Sequence, residues 1–335
     1  MSDDLTSAQK NELPDEWTCV YDTSAGVGSF SGLVVSTVSA LWTSRALAWR
    51  LFLRNFASNY RQSLLGWLWI FLPPLANAGI WVLLNSSGTI KVSSLGVLGY
   101  AAFVFTGTML WQAFVDGLMS PMNTMQANRS TLTKLQFPKE VLITVGILEV
   151  GFDLVARTII ALLLLTIAGS LNISGLGALL VWAPLLIILG IGIGMWVAPF
   201  GLLYKDVSKT LAMVTPLWML LTPVIYPMPT QTAGTWIAWI NPPAAIISTA
   251  RGGLVATEDS PKVEKKAAGL TQNRSANMVA PPAINSPAAT VEKITIEQQF
   301  FLQSIVWATV GGLLFVSGLV WMRISSPIVI ERLAN

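Results

Sequence analysis

At Gly66 this chain changes character. The stretch before it, WTSRALAWRLFLRNFASNYRQSLL over 42–65, carries four arginines: Arg45, Arg50, Arg54 and Arg61. From Gly66 to Leu84 no charge follows. An uncharged apolar run approaching roughly 20 residues is long enough to cross the hydrocarbon of a bilayer as a helix. Before it, Trp42, Ala46, Trp49, Leu53, Phe56 and Tyr60 recur at helical spacing and predict one apolar stripe. Arg50, Arg54 and Arg61 fall well round from that stripe. A helix with aromatics on one side and arginines on the other suits a membrane interface. The expectation is a surface-lying basic helix that turns into a membrane-crossing one, with its arginines on the cytoplasmic side.

Composition bears on the class. Charged residues make up 11% of the chain and hydrophobic ones 53%, and the mean hydropathy is +0.62. Soluble domains carry roughly 25% charged residues. The apolar runs are continuous rather than alternating, which predicts an all-α integral membrane protein. A net charge of +3 does not suggest a nucleic-acid partner. There is no histidine and one cysteine, Cys19. The commonest general base and metal ligand is therefore missing, and no disulfide framework is expected.

Six spans are expected, at about 66–84, 97–119, 141–168, 177–203, 210–226 and 300–322. Charge placement tests the count. Arg129, Lys134 and Lys139 follow the second span, Lys205 and Lys209 the fourth, Arg323 and Arg332 the sixth. The opposite short loops carry only Lys91. This alternation predicts a multi-pass protein of the cytoplasmic membrane with both termini inside. The domains expected are an acidic, polar cytoplasmic tail over 1–40, largely disordered, and an amphipathic interface helix over 41–65. A membrane domain follows over 66–255, then a flexible polar external loop over 256–299, then a last span and cytoplasmic tail over 300–335. Pro73-Pro74 predicts a kink in the first span. Part of the polar stretch from Ser120 to Glu140 is expected either as a short helix parallel to the membrane, stopped by Phe137-Pro138, or as a solvated loop. Between the fifth and sixth spans, WIAWINPPAAIISTARGGLV (236–255) is apolar but interrupted by Pro242-Pro243 and Gly252-Gly253. It predicts two half-helices dipping into the outer leaflet, tolerated only against protein or water.

Chemistry has few places to sit. No Gly-rich phosphate loop with a lysine is present, so the chain is not expected to bind ATP itself. Neither cofactor, metal nor catalytic residue is assigned. In the third span Glu149, Asp153 and Arg157 follow at four-residue steps on one face. They line a translocation path, or else Asp153 and Arg157 neutralise each other and fix helix packing. Trp67, Trp69, Trp111, Trp182, Trp236 and Trp239 fall near expected span ends and read as an interface belt, or as stacking platforms for sugar rings.

Several stretches, in order, resemble the membrane subunits of polysaccharide exporters, the type 2 permeases of the ABC transporter superfamily. Tyr60 to Trp69 looks like the family's run into its first span. Asn123-Thr124, Asn128, Lys134 and Phe137-Pro138 are similar to its cytoplasmic crossover, and Tyr204-Lys205-Asp206-Val207 to its second cytoplasmic turn. Leu217-Trp218 and Thr222 to Pro227 resemble its fifth span and exit. Asn241-Pro242 and Arg251 resemble its broken external segment. The resemblance covers about Arg45 to Val255 and resumes at the last span. It implies a homodimer paired with a separate ATP-binding subunit and exporting a lipid-linked polysaccharide. It also implies that Asn128, Lys134, Phe137, Pro138, Tyr204, Lys205 and Asp206 meet the ATPase beside Arg50, Arg54 and Arg61. Glu149, Asp153, Arg157, Asn241, Pro242 and Arg251 would belong to the path or gate. Relatives commonly have Gln-Pro where this chain has Pro73-Pro74, and they carry shorter N-terminal and external polar segments. An exporter of drugs or small lipids would share the architecture. A membrane-bound glycosyl or phosphoglycosyl transferase would need a carboxylate pair at a span mouth, which is not found.

Overall fold

A computed structural model describes residues 30–61, 64, 66, 68–88, 96–129, 140–169, 171–172, 174–227, 232–252 and 287–334. The described elements are helices: α1 (Phe30–Thr43), α2 (Arg45–Arg61), α3 (Leu68–Ser86), α4 (Gly96–Ala127), α5 (Glu140–Ile167), α6 (Ser174–Leu203), α7 (Lys205–Leu221), α8 (Thr232–Ile240), α9 (Pro242–Gly252) and α10 (Pro287–Ala334). Five stretches, within α3, α4, α5, α6 and α10, are long and apolar enough to cross a membrane. The segment expected as the fifth crossing is the 17-residue α7. The expectation of an all-α membrane protein stands.

The core is built on α4 and α6. Phe105, Met109, Leu110 and Phe114 of α4 meet Leu179, Leu186, Leu189 and Ile191 of α6 in one cluster of fully buried side chains. Glycines let these two backbones approach, as small residues do between helices in lipid. A Cβ at Gly190 would meet the Phe114 carbonyl oxygen, one at Gly194 that of Leu118, and one at Gly117 would lie 3.1 Å from that of Ile187. Gly192 and Gly311 play the same part between α6 and α10. Around this core α3, α5, α7 and α10 turn apolar faces outward. Ile159 and Leu163 of α5, Leu72 and Leu83 of α3, and Leu313 of α10 are exposed.

Four sequence expectations are corrected. Residues 30–40, expected to be disordered, are helical in α1, where Arg323 of α10 donates to Ser36 Oγ and Thr37 Oγ1 at 2.9 and 3.1 Å. Gly and Ser content argued against order there; a distant arginine supplies what local composition lacks. The second span's helix does not stop at Met119 but runs through Pro121 to Ala127. Residues 287–295, placed in the flexible loop, belong to α10. Trp111 and Trp182 are buried at 4% and 6% exposure, so they are core residues rather than belt. Trp69, Trp236 and Trp239 are exposed.

In α2 the predicted stripe and the packed face differ. Trp42 falls in α1, and of α2 Trp49 and Leu53 are exposed, whereas Ala48 and Phe52 are buried. Phe56 sits edge-on to Phe152 of α5 at 4.7 Å, and Ala48 packs with Val141 and Val145. The helix thus presents one apolar face outward and a second one to α5.

Candidate functional site

The third-span charges fold into a junction of three helices. Arg157 is 6% exposed. Its Nη1 donates to Asp116 Oδ2 of α4 at 2.6 Å, and its Nη2 lies 3.8 Å from Asp153 Oδ2. Its Nε donates to the Ile70 carbonyl oxygen of α3 at 3.2 Å. That last bond has a cause in the sequence. The carbonyl of Ile70 would normally accept from the N–H four residues on, but that residue is Pro74 and has none. Arg157 supplies the missing donor from another helix. Both prolines lie within a continuous α3, and bonding of this kind lets lipid-bound helices tolerate proline. The i,i+4 spacing pointed to Asp153 as the partner; the shorter contact is to Asp116, which Gln112 Nε2 holds through Oδ1 at 2.8 Å.

From this junction a cavity of about 410 Å³ extends toward the C-terminus of α4. Arg54, Asn55 and Ser58 of α2 line one side, Asp116, Ser120, Asn123 and Thr124 of α4 with Asn128 just past its end a second, and Glu149 and Asp153 of α5 a third. Glu149 accepts from Asn55 Nδ2 at 3.2 Å, which ties the interface helix to the bundle. Removing that tie by Asn55→Ala should loosen α2 alone, raising its backbone hydrogen exchange severalfold while the unfolding midpoint moves little, since one such bond contributes about 0.5–1.5 kcal/mol.

At the same end, Asn128 closes α4 by donating through Nδ2 to the Thr124 carbonyl at 2.8 Å. Gln126 was not singled out from sequence, yet it bridges two turns. Its Nε2 donates to the Gly201 carbonyl at 2.9 Å and to Ser208 Oγ at 3.1 Å. The end of α4 is thereby held against the α6–α7 turn, where Tyr204, Lys205 and Asp206 stand exposed. Asp206 and Lys209 lie 3.9 Å apart. Arg50 and Arg54 are exposed on α2, and Arg61 is its last residue. Lys134, Phe137 and Pro138 lie outside the described residues.

The opposite end is organised by Asn241 and Arg251. The two predicted half-helices are α8 and α9, broken at Asn241-Pro242. Asn241 Oδ1 accepts from Trp218 Nε1 at 3.0 Å, and its Nδ2 donates to Thr222 Oγ1 at 2.8 Å. Arg251 is 4% exposed. It donates to the carbonyls of Val224 and Pro223 at 2.7 and 3.0 Å. Its Cζ lies 3.8 Å from the centroid of the Phe103 ring, a cation–π arrangement. Gly107 of α4 leaves room for this approach, since a Cβ there would meet both Val224 and Arg251. Asn241 and Arg251 are therefore buried fasteners of the chain that leaves α7. Pro242 is half-buried beside them.

No family profile matches the chain. It is 24% identical over 244 residues to the O-antigen export system permease protein RfbA of Myxococcus xanthus, a match covering 64% of this chain and 83% of that protein. Two Klebsiella pneumoniae proteins of the same designation are 23% and 24% identical over 198 residues, or 58% of this chain and 74% of each relative. Among the described residues the chain is a bundle of helices, five of them with stretches long and apolar enough to cross a membrane, and over about 60% of its length it is similar to these O-antigen export system permeases.

Proposed function

We propose that the chain is the membrane-spanning permease of an ATP-driven exporter that moves lipid-linked polysaccharide across the cytoplasmic membrane. It works as a homodimer, with ATP hydrolysed by a separate binding subunit. The relatives named for O-antigen export support the cargo class. The observation that carries the reading is the Gln126 bridge. It gathers the end of α4 and the Tyr204 turn at one end of the bundle, as a docking face for an ATPase requires. Arg54 of α2 borders the same cavity as Asn123 and Asn128.

The exposed Arg50, Arg54, Arg129, Lys205 and Lys209 lie at this end, which favours it as the cytoplasmic one. With α7 and the chain to Pro227 as a further crossing, the count is six and both termini are inside. Asn128, Lys134, Phe137 and Pro138 then belong to the crossover that meets the ATPase, with Tyr204, Lys205 and Asp206 beside it. The polar cavity and the α8–α9 break belong to the path and its outer gate.

The test is reconstitution. In mild detergent the chain should co-elute with its ATP-binding subunit, and the complex in liposomes should move a fluorescent lipid-linked glycan only with ATP. No co-elution and no ATP-dependent movement would end the reading. Equal movement of a labelled lipid without sugars would redirect it to a small-lipid exporter.

A further inference from the structure

Little of α7 is buried. Thr215 and Met219 are its buried residues, while Met213, Leu217, Leu220 and Leu221 are exposed. What seats it is polar and lies at its two ends. At the first turn Gln126 holds Ser208 and, through Gly201, the turn before it. At the last turn Asn241 holds Trp218 and, just past it, Thr222. Arg251 takes the two carbonyls beyond them, placing a cation at the negative end of the helix. Along its length the main anchor is one ring: Trp218 stands edge-on to Phe114 and Trp111 at 5.3 and 5.9 Å. A helix of 17 residues is a rod of about 25 Å.

We infer that α7 is a strut jointed at both ends, with Gln126 at one joint and Asn241 with Arg251 at the other, which carries displacement from the Asn128 end to the α8–α9 break. The source of that displacement rests on the exporter reading; the mechanical link does not. Gln126 is then a positioning residue: it acts through α7 on half-helices it never touches. Its primary amide has two N–H groups, one for the Gly201 carbonyl and one for the Ser208 hydroxyl. A side chain of similar reach that keeps donors preserves the joint, and one without donors breaks it. Because few apolar contacts hold α7, a broken joint is not replaced by packing.

The experiment has two arms, both on the full chain. In detergent alone, hydrogen exchange is followed at 232–252 in the parent, Gln126→Leu, Ser208→Ala and Gln126→Lys. The expected result is faster exchange there in Gln126→Leu, roughly tenfold for two hydrogen bonds of ordinary strength. Ser208→Ala should give a smaller rise, and the donor-bearing Gln126→Lys should return to the parent rate. In the reconstituted complex, Gln126→Leu and Asn241→Leu should each lower glycan moved per ATP with hydrolysis retained. Combined, they should do no worse than the stronger single change, the signature of residues acting on one element. Unchanged exchange at 232–252 in Gln126→Leu overturns the inference, as does additivity of the two substitutions. Exchange cross-talk in a chain that never binds an ATPase would keep the strut and sink the exporter reading instead.

Discussion

Arg157→Leu should cost the protein a large share of its folded stability. The substitution leaves Asp116 and Asp153 without their shared cation inside a span, and leaves the Ile70 carbonyl without the donor that Pro74 cannot give. Removing one partner of a buried pair costs about 3–5 kcal/mol, against total stabilities of about 5–15 kcal/mol. Unfolding of the purified protein in mixed micelles measures it. Arg157→Leu combined with Asp116→Leu should recover part of the loss, because it removes the stranded carboxylate as well. The measurement also separates the two roles open to this arginine. Stability preserved with export abolished would make it a lining residue of the path. Stability lost and regained in the double variant would make it a packing residue.

Gly194→Val should be nearly as damaging, for a steric reason. The added Cβ is aimed at the Leu118 carbonyl oxygen and at Pro121 Cδ of α4, which is 3.2 Å away. Neither is the end of a flexible side chain, so the helices themselves must part. Overpacking of this kind costs typically about 1–3 kcal/mol, and here it falls on the interface that carries the core. The expected result is a lower unfolding midpoint and reduced membrane yield, with Gly194→Ala already impaired. Gly79→Ala is the control: nothing lies within 4 Å of a Cβ there, so it should behave as the parent. Equal behaviour of the Gly79 and Gly194 variants would mean that α4 and α6 do not approach as closely as described.

What could be read from sequence was whatever repeats along one helix. Long apolar runs located the crossings to within a few residues, as at Glu140–Ile167 and Ser174–Leu203. The proline at 242 marked the break between α8 and α9, because an N–H is lost at a known place. The four-residue steps put Asp153 and Arg157 on one face. Contacts between helices left no such trace. Asp116 is 41 residues from Arg157, and nothing in its neighbourhood announces a partner. Gln126 is a single amide near a helix end, indistinguishable in sequence from a solvated one. The second span is expected to end near Met119, yet its helix continues through Pro121 to Ala127. The glycines at 190, 192 and 194 read as an apolar run's small residues; that they carry the α4 and α10 contacts emerges only when the backbones are set side by side.

The bond between Arg157 and Ile70 also bears on biogenesis. The two residues are 87 positions apart, and the ribosome delivers them in that order. When α3 leaves the translocon its ladder lacks the N–H that Pro74 cannot give, in a solvent that offers no substitute. The helix that comes first is thus finished by one that comes much later, and its settled seat in the bilayer waits on the synthesis of α5.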